Sequence, residues 1–285
     1  MVEEVPLIRS TARFSGAALA AGIAASLLVA APAMAQSVQT RPGEKSATVY
    51  GERYSVEMST TWWTPSVYGV IRSDAIEAIG STLSFTDDLG YDTTRFRDLR
   101  FVVRPAKKHR IRIQYTPIEY RATATFNRDV TFRGEVFPVS VPVESTFGWH
   151  VWRTGYEYDF LYHPRAFVGV LGEARFIDMT AQITSPVASA TVAAHAVVPA
   201  LGFYTRVYVL PDLAINFEWT GFQVPKVFEV ADNTYVDWDL HATINFTNNF
   251  GGQLGWRKAS TFLKVKDDTA DMKYEGIWFG IVVRY

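Results

Sequence analysis

The 285-residue chain contains no cysteine. Disulfides, thiol nucleophiles and thiolate metal sites are therefore excluded. It also lacks a charge excess, with 28 Lys and Arg against 29 Asp and Glu. Nucleic-acid binders usually carry a basic excess, so that partner class is not expected. After residue 35 there is no apolar run of about 18 residues, the length a membrane helix requires. No Gly-x-Ser-x-Gly elbow occurs, and none of the five histidines is followed two residues later by Ser. No spacing of metal ligands stands out, so neither a metal nor another cofactor is expected.

What is present begins with a targeting segment. Arg9 and Arg13 form a basic region, residues 14–31 are small and apolar, and Ala33 and Ala35 supply an Ala-x-Ala cleavage site. Glu3 and Glu4 are atypical of such a region and suggest a start somewhat downstream. Residues 1–35 are read as a cleaved signal peptide, with the mature chain starting at Gln36. Residues 36–51 read as a flexible periplasmic lead-in and residues 52–285 as one domain.

That domain alternates apolar and polar residues with period 2, the mark of strands with one apolar face. In 235–247, Val236, Trp238, Leu240, Ala242, Ile244 and Phe246 share one face, while Asp237, Asp239, His241, Thr243 and Asn245 share the other. Ten such segments occur, at 52–63, 97–105, 109–126, 143–161, 165–184, 191–209, 213–223, 234–247, 250–265 and 273–285. Several exceed the roughly 9 to 11 residues a tilted strand needs to cross a bilayer, so they should project beyond it. Without a membrane helix, the structure open to a spanning chain is the closed barrel. The expected fold is all-β: a transmembrane antiparallel up-and-down β-barrel of ten strands, with eight or twelve as alternatives. Connections alternate between short turns (105–108, 162–164, 210–212, 248–249) and longer loops (64–96, 127–142, 185–190, 224–233, 266–272). Short periplasmic turns and long outer loops follow the bacterial pattern and place both termini in the periplasm.

Some details qualify the alternation. Beyond Pro117 the apolar residues move from Ile111, Ile113 and Tyr115 to Ile118, Tyr120, Ala122 and Phe126. A proline at a phase change suggests a bulge or kink. Similar switches occur near Val151–Trp152 and Phe176–Ile177. Ser73, with Asp74 and Glu77 in the following turn, suggests a short helix over 73–80. Aromatics make up 14% of the chain. Trp62, Trp63, Trp219, Phe222, Tyr162, Phe250 and Tyr285 fall near strand ends and suit interfacial belts.

The last residues read Gly276-Ile-Trp-Phe-Gly-Ile-Val-Val-Arg-Tyr285. Apolar residues at every second position (Ile277, Phe279, Ile281, Val283) before a terminal aromatic resemble the C-terminal signature of bacterial outer-membrane β-barrel proteins. Tyr285 stands in place of the commoner Phe. The resemblance implies residence in the cell outer membrane as a small monomeric barrel. It also implies contact with outer-membrane lipid and lipopolysaccharide, and recognition of the last strand by the barrel-assembly machinery. It is nearly silent about activity.

With the apolar face assigned to lipid, the lumen receives Arg110, Arg112, Glu119, Arg121, His150, Arg153, Glu157, Asp159, Glu173, Arg175, Asp178, Arg206, Glu218, Asp237, Asp239, His241, Arg257 and Arg284. Buried charges are stable only when paired, and narrow barrels are filled by side chains. An internal polar network is therefore expected. No ring of one charge sign is evident, as an ion-selective pore would need. The expected role is a structural barrel or a narrow small-solute channel with a largely plugged polar lumen. One alternative is a barrel enzyme acting on lipid or peptide at the outer face. Omptin proteases resemble this chain in having ten strands, and rely on Asp pairs and an Asp–His pair at the outer rim. Asp237, Asp239 and His241 are the candidates for such a site here, since neighbouring carboxylates raise one another's pKa and orient water. The other alternative is surface binding through the long loops. Basic residues flank His109 and His163 at periplasmic turns, and Asp87, Asp88, Asp267, Asp268 and Asp271 make outer loops acidic; both read as solvated charge.

Overall fold

The computed structural model describes residues 49–74, 80–223, 233–265 and 268–285. The segments 1–35 and 36–48 lie outside them, as do residues 75–79 at the centre of the expected short helix. The described residues contain thirteen strands and no helix: β1 (Val56–Ser73), β2 (Leu83–Ser84), β3 (Phe96–Ala106), β4 (His109–Thr125), β5 (Val130–Phe132), β6 (Glu135–Phe137), β7 (Pro142–His163), β8 (Ala166–Thr184), β9 (Ser189–Tyr208), β10 (Leu213–Gln223), β11 (Thr234–Asn245), β12 (Phe250–Val265) and β13 (Asp268–Arg284). Ten of them (all but β2, β5 and β6) pair antiparallel with their neighbours in sequence order, and β13 returns to pair β1. The result is the closed ten-stranded up-and-down barrel that the alternation implies.

Each of the ten expected segments coincides with a barrel strand, but the ends differ. β1 starts at Val56 and runs on to Ser73, into the stretch read as a loop. Ser73 ends β1, and its hydroxyl donates to Asp268, 2.5 Å away. The loop over 127–142 contains the β5–β6 hairpin. Arg133 and Gly134, with φ of 55° and 82°, form its two-residue turn. Positive φ at both central positions is what a type I′ hairpin turn requires.

The phase changes have a different cause from the one expected. β4 and β7 pair from His109↔Tyr158 to Thr125↔Pro142 without a register shift at Pro117. The shifts fall at Val103/Ala106 and Asp159/Leu161, beside the turn end. Even-numbered residues of β4 point inward along its length, from Arg110, Arg112 and Gln114 to Ile118 and Tyr120. Odd-numbered residues face out, from Ile111 and Ile113 to Glu119 and Arg121. Backbone geometry is continuous; the environment inverts. Nearer the turns the wall faces lipid, so apolar residues point out. Nearer the loops it faces water, so apolar residues point in. β7 and β8 make the same exchange, with Val151, Trp149 and Phe147 inward on one and Ile177, Met179 and Ile183 inward on the other.

Strand length follows. β7 spans 22 residues, which at about 3.3 Å per residue and a tilt near 40° covers roughly 55 Å along the barrel axis. An apolar band of about 25 Å accounts for less than half of this. The projecting part has its own apolar core. Phe85, Leu83 and Leu89 enter it from the β1–β3 connection, and Val130, Phe132 and Phe137 from the hairpin, all nearly inaccessible. Phe85 packs 4.7 Å from Phe147 and Tyr91 stacks on Tyr120 at 5.4 Å.

Outward aromatics frame the lipid band. Trp62, Tyr115, Trp152, Phe176, Trp219, Trp238 and Trp256 mark its loop side. Tyr156, Tyr158, Phe160, Phe246, Phe250 and Tyr285 mark its turn side. Three residues expected in these belts are not there. Tyr162 packs inward against Phe167, its hydroxyl accepting from Arg104 at 3.2 Å. Trp63 is 3% exposed inside the barrel, and Phe222 packs against the interior core.

Candidate functional site

Between the projecting core and the turn end, the lumen holds charge. Nine arginines (100, 104, 110, 112, 153, 175, 206, 257 and 284) meet nine carboxylates (Glu52, Glu57, Asp98, Glu157, Asp159, Glu173, Glu218, Asp237 and Asp239). Eight of the carboxylates take arginine, and Asp239 takes His241 at 2.7 Å. The strand pleat places all of these groups but Glu52, which precedes β1: each occupies the inward parity of its strand, so neighbours two residues apart point into one chamber.

The pairs connect across the barrel. Arg110 donates to Glu157 and Asp159, both at 2.6 Å. Arg112 links Glu157 on β7 to Glu218 on β10. Arg153 reaches Glu218 at 2.7 Å, Glu173 at 2.9 Å and Asp237 at 3.4 Å. Arg175, wholly inaccessible, contacts Glu173 and Thr220 and lies 3.7 Å over the Tyr235 ring. Arg257 grips Asp237 through Nε at 3.0 Å and Nη2 at 2.7 Å, and reaches Asp98 at 3.2 Å. Gln114 and Thr116 also donate to Asp98. Each of these buried charges is paired, as burial requires, while Nε and Nη2 of Arg110, Nη1 of Arg175 and Oδ1 of Asp159 have no hydrogen-bond partner.

The turn end is filled by the chain itself. Residues 49–55 precede β1 and enter the mouth, where Glu52 accepts from Arg206 at 2.6 Å and Tyr208 at 2.8 Å. Arg104 donates to the Glu52 carbonyl at 2.6 Å. Gly51 sits at φ 78°, and a Cβ there would meet Arg284 and Asn245 within 2.7 Å. Val49 packs with Phe167, Tyr208 and Ala214.

Of the residues assigned to the lumen by polarity, Arg110, Arg112, Arg153, Glu157, Asp159, Glu173, Arg175, Arg206, Glu218, Asp237, Asp239, His241, Arg257 and Arg284 point inward. Glu119, Arg121, His150 and Asp178 do not; they lie on the outward face of the projecting wall. There His150 contacts Glu119 at 3.4 Å and Asp178 contacts His195 at 3.1 Å. Outward polar residues are stable at that level because the wall faces water.

Asp237, Asp239 and His241 do share a strand face, but not at the outer rim. Asp237 is enclosed by Arg153, Arg175, Arg257 and the Tyr235 hydroxyl. His241 is 3% exposed and lies 5.0 Å from the Trp278 ring. Both are buried, each 3% exposed. The polarity reading missed Glu52, Glu57, Asp98, Arg100 and Arg104. The signal was present for three of these: Asp98, Arg100 and Arg104 share one parity in β3, opposite Leu99, Phe101 and Val103.

A closed ten-stranded antiparallel wall with an outward apolar band, aromatic belts and a filled polar interior defines a small β-barrel of the membrane-spanning type. Among solved structures, outer membrane protease OmpT from Escherichia coli is similar in fold, with a TM-score of 0.58 over 81% of this chain and 96% of that one, at 8% identity. At that identity the likeness establishes the fold alone. The translocator domain of autotransporter NalP from Neisseria meningitidis aligns over 93% of this chain and 97% of its own, at 8% identity and a TM-score of 0.43, too loosely to support an argument. No protein-family model matches the sequence, and neither does any curated protein sequence.

Proposed function

We propose that this protein is a non-conducting outer-membrane barrel, a rigid anchor for the body that projects above the bilayer. The observation that carries this reading is the filling of the interior at three levels: residues 49–55 at the turn end, the ion-pair network in the middle and the apolar core toward the loops. Two small cavities among the described residues have volumes of only about 10 Å³ and 20 Å³. One is apolar, between Met179, Ala194 and Leu263; the other lies beside Asp98, Asp239 and Arg257. Each holds about one water at most. The equal number of arginines and carboxylates also favours cohesion over ion selection.

On this reading residues 1–35 direct secretion and are cleaved, and the last strand, Ile277 to Tyr285, is the assembly signal. Surrounding lipid and lipopolysaccharide contact the outward band, and the barrel acts as a monomer. Single-channel recording in planar bilayers tests the central claim. Purified protein should give no stepwise conductance at moderate voltage. Reproducible steps would return the narrow-channel reading.

A further inference from the structure

We infer that Arg95 and Arg97 form a docking site for a phosphate group of an outer-leaflet lipid, an assignment that rests on the outer-membrane reading. Arg97 lies at the upper edge of the lipid band, where its cross-strand partner on β1 is Trp62. Trp62 in turn faces Phe279 on β13, and their rings stack at 5.4 Å with planes 21° apart. Arg95 reaches over the same aromatic pair, its guanidinium 5.8 Å from the Phe279 ring. Two exposed cations therefore flank one aromatic ledge where the bilayer ends.

The pair differs in charge pairing from Lys258, on β12, the neighbour of β13. Lys258 is neutralised by Glu275 at 2.7 Å. Neither Arg95 nor Arg97 forms an ion pair with a carboxylate among the described residues. Arg97 uses only Nε, donating to Thr60 at 3.2 Å, which leaves its terminal nitrogens available. Guanidinium is the side chain whose fork matches phosphate oxygens. Below the ledge, Ile281 and Val283 are exposed and apolar, as a surface for acyl chains would be. A cationic pair above and an apolar wall below fit an amphiphile with a phosphorylated head. A free phosphate would use only half of the site.

Native mass spectrometry of the detergent-solubilised protein tests this with lipid A, chemically dephosphorylated lipid A and inorganic phosphate as probes. Wild-type protein should retain lipid A more strongly than the dephosphorylated form. Arg95→Ala/Arg97→Ala should lose most of that preference, by about thirtyfold if each cation contributes near 1 kcal/mol. Lys107→Ala, at the opposite end of the barrel, should not change it. Equal retention of the two lipids, or unchanged selectivity in the double variant, would overturn the site. Inorganic phosphate that displaces lipid A at equal concentration would overturn the lipid assignment. Heat-modifiable gel migration shows that each variant is folded. Its loss in the wild-type protein would overturn the barrel reading, and the site with it.

Discussion

Replacing Asp237 by alanine should destabilise the barrel severely, and the size of the effect follows from its surroundings. The carboxylate accepts from Arg257 at 2.7 and 3.0 Å, from Tyr235 at 2.7 Å and from Arg153 at 3.4 Å, with Arg175 at 3.6 Å. Its removal does not strip these arginines of every partner. Arg153 keeps Glu173 and Glu218, Arg175 keeps Glu173, and Arg257 keeps Asp98. What remains is one uncompensated positive charge in a closed chamber and one orphaned hydroxyl. Breaking a buried pair costs about 3–5 kcal/mol, and an unsatisfied buried polar group about 1–3 kcal/mol. Because the other partners persist, the sum should fall near the first range. A urea titration of protein refolded in lipid vesicles would measure it, with the folded fraction read from unboiled gel migration. Asp178→Ala is the matched control: its carboxylate is 58% exposed beside His195, so its loss should cost under about 1 kcal/mol. Removing Arg257 together with Asp237 should cost less than the sum of the single changes. Equal midpoints for Asp237→Ala and Asp178→Ala would refute the inverted placement of these two aspartates.

Two further outcomes concern the projecting body. Phe85→Ala removes a fully inaccessible ring from its core and should cost about 3–5 kcal/mol, seen as easier proteolysis of the outer loops while the lipid-embedded strands remain protected. The Asp88 carboxyl would be raised by its burial, but hydrogen bonds from Arg128 and the Ser84 amide outweigh this and hold it below its ordinary value. A depressed folded value means that the contact stabilises above the unfolded pKa of about 3.9 and is lost as pH falls through the folded one. Hydrogen exchange at the Ser84 amide should therefore quicken, relative to unlinked amides, as the solution is acidified below that range, and Asp88→Asn should abolish the dependence.

Strand number, antiparallel order and closure were legible in the sequence because a pleated wall between unlike solvents imposes period 2. The direction of each face was not legible from polarity alone. Polarity reports which residues share a solvent, and the outward solvent changes from lipid to water partway along β4, β7 and β8. Glu119 and Asp178 were placed in the lumen for that reason. Parity carried the missing information: Glu119 and Ile113 are both odd in β4, so a strand without a bulge must turn them to the same side. The part played by residues 49–55 was hidden for another reason. A coil segment has no period, and the fit of Glu52 between Arg104 and Arg206 arises only after strands distant in the chain have closed.

The pairing of β1 with β13 bears on how the barrel forms. Seventeen consecutive residue pairs, from Glu57↔Arg284 to Ser73↔Asp268, join the first strand of the wall to the last. Glu57 and Arg284, in contact at 2.5 Å, are 227 positions apart. Loop closure over such separations is slow, and contacts of this kind dominate the folding time of β topologies. The wall cannot close until its last strand is available, so deletion of β13 would leave nine strands with two open edges. The closing seam is fastened inside by Glu57–Arg284, outside by the Trp62–Phe279 stack and at the loop end by Ser73–Asp268. Once these three contacts form, opening requires them to break together, and the slowest step of assembly becomes the guard against its reversal.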